Sequence, residues 1–365
     1  MRILLCPDSY KGCLSSLEVC AALRKGILEA NPNAEIIQYP SSDGGEGFCD
    51  CMENLYGGIR ICKEVTFPLW NKGLAEFLYC EDTYTAYIEL ASAAGLNLVP
   101  KDKRNILRST TYGVGELICQ ALECGAKTVV LGLGGSATND YGLGMLAAMG
   151  AVFSDKNGYF VPPYAENIKE IYNIDTSGMV DISNVNIIAA CDVKNPLCGE
   201  LGAAKVFAKQ KGATDLEIEY LDNAVIEFAN RFEINLNNKG YGAAGGIGMA
   251  IIEFLDGTYT SGASLLVDST KFITALKSVD MVITGEGNTD SQTVNGKLIS
   301  VIARRAKEFG VTTWVLSGNL SEGYDKLYDI GVTKCCSLTE MGYDVEYSIK
   351  NAKTLIAKRI KEMIM

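Results

Sequence analysis

KTVVLGLGGSATNDYGLGMLAAMG, residues 127–150, is the stretch whose reading decides the fold. Its apolar run Val129, Val130, Leu131 predicts a buried strand. The run breaks into a glycine loop that also holds Ser136, Thr138, Asn139 and Asp140, and a small-residue helix is expected over 145–149. Strand, glycine loop and helix start together present backbone N–H groups to an anion, most often a phosphate. A strand feeding a helix in this way belongs to an α/β sheet that is largely parallel.

The alternation extends outward. A strand over 2–6 precedes a helix over 15–30, whose Ser15 and Glu18 have capping-box spacing and which ends at Asn31-Pro32. A second strand over 35–39 runs into the loop 41–47. Between 58 and 91, β-rich segments with turn signals at Asn71, Gly73, Glu81 and Asp82 predict antiparallel hairpins, as does Asn157-Gly158 between Phe153 and Tyr159. From Asp280 short βα units return, with strands over 281–284, 312–316 and 333–335, then one amphipathic helix over 344–364. The two ends are alike and the middle differs. The expected organisation is a discontinuous parallel-sheet domain, 1–63 plus 280–365, interrupted by a mixed α/β domain of 64–279. A chain of 365 residues is long enough for two cores.

Composition narrows the function. Hydrophobic content of 48% and charged content of 21% are those of a globular protein, and no apolar run approaches the roughly 18 residues of a membrane span. A net charge of −11, with no basic block outside the C-terminal helix, makes nucleic acid and anionic membranes poor partners. Thirteen cysteines form no C-x-x-C pair, and the start reads as a strand and not as an export signal, so a cytoplasmic protein is expected. The chain has no histidine. That removes Ser-His-Asp and Cys-His mechanisms, argues against zinc, and leaves proton transfer to Asp, Glu, Lys, Tyr or water.

Four loops share one character, a glycine-rich or polar turn after a strand carrying carboxylate: SDGGEG (42–47), GLGGSATND (132–140), CDVKNPL (191–197) and GEGNTDSQT (285–293). Ligands of open α/β sheets sit at the carboxyl ends of strands, where such loops gather. Glycines let backbone approach phosphate oxygens, and neighbouring carboxylates hold Mg²⁺. Phosphoryl transfer needs positioning, charge neutralisation and a carboxylate near the attacking hydroxyl, so a site without histidine can run it. Lysines lie close by: Lys11 in DSYKG, Lys194, Lys205, Lys209 and Lys211 near CDVKNPL, and Lys297 after GEGNTD. No Walker motif occurs.

Two rival readings exist. Residues 132–137 match G-x-G-x-x-A, with Asp155 about where a ribose-binding acid belongs, which suggests a Rossmann-type NAD-dependent oxidoreductase. The polar insert Thr138-Asn139-Asp140 and the other three loops count against it. A small-anion binding protein is the other rival, disfavoured by so many carboxylates. Residues 241–255, YGAAGGIGMAIIEFL, fit close helix packing slightly better than phosphate contact. RSTTYGVG (108–115) opens a helix with hydroxyls that suit capping or substrate oxygens.

At these residues the chain resembles the bacterial glycerate kinase family distinct from the P-loop and MOFRL types. The matching blocks are PDSYKG (7–12), SDGGEG (42–47), STTYGVGELI (109–118), GLGGSATND (132–140), CDVKNPLCG (191–199), FAKQKGAT (207–214), GAAGGIG (242–248) and ITGEG…DSQT…GK (283–297). The resemblance implies a flavodoxin-like domain interrupted by a second α/β domain, the active site in the cleft between them, and closure on ligand. It also implies ATP- and Mg²⁺-dependent phosphorylation of glycerate, at O2 in preference to O3, by a monomer or homodimer. Two positions depart from the family: Asn288 replaces its usual Arg and Asn295 its usual His. Within this reading Lys11, Asp43 and Asp192 are the expected catalytic residues, Asp192 as general base. Asp8, Ser9, Glu46, Lys194 and Lys211 are expected at the substrate. Gly134, Gly135, Ser136, Asn139 and Lys297 are expected at the nucleotide, and Asp140, Glu286 and Asp290 at the metal.

Overall fold

The structure, a computed structural model, describes residues 1–42 and 44–365. In chain order the strands are β1 (Arg2–Leu5), β2 (Glu35–Gln38), β3 (Ile59–Thr66), β4 (Lys72–Cys80), β5 (Thr85–Glu89) and β6 (Thr128–Gly132). They continue with β7 (Val152–Ser154), β8 (Asn173–Asp175), β9 (Asn186–Ala190), β10 (Thr258–Thr260) and β11 (Met281–Thr284). The last are β12 (Asn288–Thr289), β13 (Thr312–Ser317), β14 (Asn319–Leu320) and β15 (Val332–Ser337). The chain divides into two compact units, Met1–Tyr56 with Ser261–Met365, and Gly57–Thr260.

These junctions differ from the boundaries at 63/64 and 279/280 read from the sequence. A cut after residue 63 would divide β3, which pairs with β4 along its whole length from Ile59↔Tyr79 to Thr66↔Lys72. The helices Gly262–Val267 and Thr270–Lys277 go with the first unit. Phe272 packs its ring edge-on to Tyr39 at 5.8 Å, and Asp268 pairs with Arg305.

In the first unit five parallel strands take the order β15-β13-β11-β1-β2. Counted within the unit this is 2-1-3-4-5, the flavodoxin-like order, which places ligand loops at the carboxyl ends around β1 and β11. The helix Ser16–Ala30 starts with both halves of the Ser15/Glu18 capping box. It packs on the C-terminal helix through Leu23, Ile27, Leu355, Ile356 and Ile360, each nearly or fully buried and each worth about 1.5–3 kcal/mol. The approach is close enough to require Gly26, where a Cβ would lie 2.1 Å from the Ala357 carbonyl oxygen. The single helix expected over 344–364 is broken into Val345–Lys350 and Ala352–Ile364. Asn351 interrupts it at φ −112°, ψ 14°, with its Nδ2 donating to the Tyr347 carbonyl at 2.9 Å. Ile349, an apolar residue just before the break, is 53% exposed.

The second unit is built on a six-stranded sheet of order β10-β9-β6-β5-β4-β3. β10, β9, β6 and β5 run parallel, and the predicted hairpins β5-β4-β3 complete it as antiparallel strands. β6 is central and buried on both faces, which is why its sequence is a continuous apolar run. Its last residue, Gly132, lies in register with Glu89 of β5 and Ala190 of β9. The loops after β6 and β9 thus leave the same sheet edge side by side.

Candidate active site

In the second unit the loop after β6 begins with the Leu133 N–H donating to the Ala190 carbonyl at 2.9 Å. It is then held against residues 94–96, where Ala137 N–H donates to the Ala94 carbonyl and Leu96 N–H to the Gly135 carbonyl, both at 2.8 Å. Gly135 turns the chain at φ 66°. Between these ties, the N–H groups of Gly134, Gly135 and Ser136 make no hydrogen bond among the described residues. Three successive unspent N–H groups on a glycine turn at a strand's carboxyl end form an anion cradle.

Deeper in the loop Thr138, Asn139 and Asp140 are wholly buried. Asp140, expected from the sequence at the metal, has both carboxylate oxygens engaged by protein donors. Its Oδ2 accepts from Thr111 N–H (2.7 Å), Thr111 Oγ1 (2.8 Å) and Gly144 N–H (3.2 Å), and its Oδ1 from Gly142 N–H (3.2 Å). One carboxylate thereby satisfies donors at the starts of two helices, Tyr112–Glu123 and Leu143–Ala148. Burial raises its pKa, opposed by those same donors. The hydroxyls of RSTTYGVG are likewise spent locally: Tyr112 N–H donates to Thr110 Oγ1 (3.0 Å) and Met145 N–H to Thr111 Oγ1 (2.9 Å). Thr138 Oγ1 and the Asn139 amide, beside the Tyr141 hydroxyl, make no hydrogen bond of good geometry among the described residues.

Lys211, expected at the substrate, is buried against the same loop. It is 3% exposed, and its Nζ donates to Ser136 Oγ at 2.7 Å and to the Thr138 carbonyl at 2.6 Å. Burial pulls its pKa down to about 7, partly offset by the Asp140 charge. The GAAGG turn packs against the same loop. A Cβ on Gly245 would lie 2.0 Å from the Thr138 carbonyl oxygen, and Tyr141 N–H donates to the Gly245 carbonyl at 3.1 Å. Asp192 follows β9, half-buried, next to the strand end that carries Gly132–Gly134; Lys194 is exposed. Glu89, at the end of β5, lies in register with Gly132.

In the first unit the loops after β1, β2, β11 and β13 are tied to one another. Ser16 Oγ and Ser41 Oγ donate to the Pro7 carbonyl at 2.6 and 2.5 Å, joining PDSYKG to the start of SDGGEG. Asp8 N–H donates to the Gly285 carbonyl at 2.8 Å, and the Tyr10 hydroxyl to the Leu316 carbonyl at 2.7 Å. Asp8 and Ser9 are buried, with Ser9 N–H donating to Asp8 Oδ1 at 2.7 Å. Lys11 and Glu46 are exposed, Lys11 at the tip of the turn that bridges Tyr10 to Leu14. Asp43 lies outside the described residues.

Glu286 accepts from Thr293 Oγ1 (2.6 Å) and Thr289 Oγ1 (3.3 Å) on Oε1, while Lys297 stands 3.6 Å from Oε2. Burial raises its pKa against those partners, and the nearby Asp290 charge raises it further. Asp290 Oδ1 accepts from Gln292 N–H at 2.8 Å. Thr289 and Thr293 were not singled out in the sequence, since hydroxyls in a turn look like turn formers. Asn288 Oδ1 accepts from Asn319 Nδ2 (2.9 Å) and Ser321 Oγ (2.8 Å), in a polar network joining β12 and β14. Among the described residues no three metal-binding side chains converge. Mg²⁺, however, binds through one or two carboxylates plus substrate phosphates, and the Glu286–Asp290 pair fits that smaller requirement.

The model of the glycerate kinase family matches residues 3–365. The chain belongs to the glycerate kinase family. A glycerate kinase of Halalkalibacterium halodurans is 39% identical over 99% of this chain and 97% of its own length. The glycerate 2-kinase of Escherichia coli K12 is 38% identical over 94% of this chain and 92% of its own. A crystal structure assigned as glycerate kinase 2, from Salmonella typhimurium LT2, shares the fold with a TM-score of 0.80 at 35% identity, covering 100% of this chain and 97% of that one. Membership in the glycerate kinase family displaces the oxidoreductase reading, and the structure gives the reason. Asp155 accepts from Asn157 and Tyr159 N–H groups within its own hairpin turn, which lowers its pKa, and so serves the turn.

Proposed function

We propose that the protein transfers the γ-phosphate of ATP to O2 of D-glycerate, giving 2-phosphoglycerate. The observation that carries this reading is the run of unspent N–H groups at Gly134, Gly135 and Ser136, on a glycine loop after a parallel strand, in a chain of the glycerate kinase family. These groups receive nucleotide phosphate, and Asn139 lies within the same loop. Asp192, beside that loop, is the general base for the attacking hydroxyl, with Lys194 near it and Lys11 acting on the transferring phosphate or the glycerate carboxylate. Asp8, Ser9, Asp43 and Glu46 supply substrate contacts. Glu286 and Asp290 would hold Mg²⁺, which neutralises phosphate charge when bound, and Lys297 balances Glu286.

Three features of the chain support a kinase that keeps its chemistry to carboxylates and lysines: no histidine, no Walker motif, and acidic loops at the carboxyl ends of parallel strands in two sheets. Among the described residues no helix is long and apolar enough to cross a membrane. The test is purified protein with D-glycerate, ATP and Mg²⁺, coupled directly to enolase. Signal without added phosphoglycerate mutase identifies 2-phosphoglycerate, and signal only with mutase identifies the 3-isomer. Absence of glycerate-dependent ADP formation would end the kinase reading.

A further inference from the structure

We propose that Lys211 is a positioning residue for the nucleotide phosphates, holding the loop 134–139 in its anion-binding shape by bridging the Ser136 hydroxyl and the Thr138 carbonyl. The inference rests on the kinase reading and deepens it. Lys211 ends the short turn Lys209–Lys211. That turn is locked from behind: Arg104 Nη1 donates to the Gln210 carbonyl at 2.6 Å, and Gly212 follows at φ 96° with no room for a Cβ, which would meet Arg104 Cβ at 2.6 Å. The ammonium is therefore delivered to a fixed point.

On the loop side, the two acceptors lie two residues apart and flank Ala137, whose own N–H is tied to Ala94. Residues 94–96, the GAAGG turn and Lys211 thus brace the loop from three directions. At 3% exposure, with two donors already spent, Lys211 has no open path to a ligand of its own. A purely packing residue at this position would be apolar, because burying an amine costs free energy that a hydrocarbon does not. The amine spends its hydrogen bonds on two atoms of the glycine loop, so holding that loop is what it is retained for.

The experiment compares Lys211→Met, which keeps volume without donors, with Lys211→Gln, which keeps an N–H donor pair, and with Ser136→Ala. KM for ATP, KM for glycerate, kcat and melting temperature are read for each, alone and in the Lys211→Met/Ser136→Ala pair. Lys211→Met is expected to raise KM for ATP about 10-fold or more with KM for glycerate unchanged, and Lys211→Gln to recover most of it. Ser136→Ala should raise the same KM, and the double variant should be less than the product of the two. If Ser136→Ala raises KM for ATP and Lys211→Met does not, the positioning role is overturned and the loop reading stands. A rise with Lys211→Met that Ser136→Ala does not share would make Lys211 a direct ligand and equally overturn it. If the wild type forms no phosphoglycerate, the kinase reading itself has failed.

Discussion

Loops of one sequence character occupy opposite physical states in the two units. In the second, the loop after β6 is closed: Thr138, Asn139 and Asp140 have no exposure, Asp140 accepts four hydrogen bonds, and a buried lysine and a second glycine turn press on it. In the first, the loops after β1 and β11 leave Lys11 exposed, and Gly12 at the same tip has nothing within 4 Å of a Cβ. Glu286 keeps Oε2 for a lysine 3.6 Å away. A glycine–acid loop after a parallel strand can therefore spend its carboxylate on backbone N–H groups, as Asp140 does, or on side-chain hydroxyls and a lysine, as Glu286 does. Composition does not distinguish the two.

The largest effect that would sharpen this contrast is at Asp192, the carboxylate beside the closed loop. Asp192→Asn should lower kcat by about 100-fold or more with an unchanged melting temperature; turnover within about tenfold of wild type would remove the base assignment. Next comes Gly245→Ala, which pushes a methyl against the Thr138 carbonyl at positive φ and should destabilise the protein by about 3 kcal/mol, read by urea unfolding. A cost near zero would show that the loop is not braced as described.

Lys211 gives a third test through pH. Its folded pKa, about 7, lies below the usual lysine value of 10.5, so the folded state sheds the proton first. The charged groups near it are Asp140 in the loop and Arg104 behind its turn, with the Lys209–Asp215 pair at the surface. A depressed pKa contributes stability above the unfolded value that is lost as pH falls through the folded one. Wild type should thus gain on Lys211→Met as pH rises from 7 toward 10, by up to about 1.4 kcal/mol per unit. A pH-independent difference between the two would mean that Lys211 stays charged. In the open loops the effects are smaller. Glu286→Gln should raise the Mg²⁺ concentration needed for half-maximal rate by about tenfold, or 1.4 kcal/mol. Gly12→Ala should cost only about 1 kcal/mol, from positive φ without a clash.

Local signals carried much of the fold. The Ser15/Glu18 capping box, the apolar run of β6 and the hairpin turns at 71–73 and 157–158 were legible because each depends on neighbours a few residues away. The domain junctions were less so, since the pairing that places Ile59 with Tyr79 is not written in β3 alone. Asn351 broke a helix whose apolar spacing continued past it, because periodicity registers side-chain faces and not a side-chain amide drawing on the Tyr347 carbonyl.

For the site, the sequence by itself determined what chemistry a chain without histidine can run and the glycerate kinase family to which it belongs. Only the tertiary structure decided what each charged group does there. Asp140 reads in the sequence as a metal ligand, and in the fold Thr111, Gly142 and Gly144 donate to it; Lys211 reads as a substrate contact, and in the fold it donates to Ser136 and Thr138. The physical reason is that a residue's type fixes its capacity to accept or donate. Some of the partners that use up that capacity are far along the chain, Thr111 29 residues from Asp140 and Ser136 75 residues from Lys211, and only folding brings them within hydrogen-bond reach.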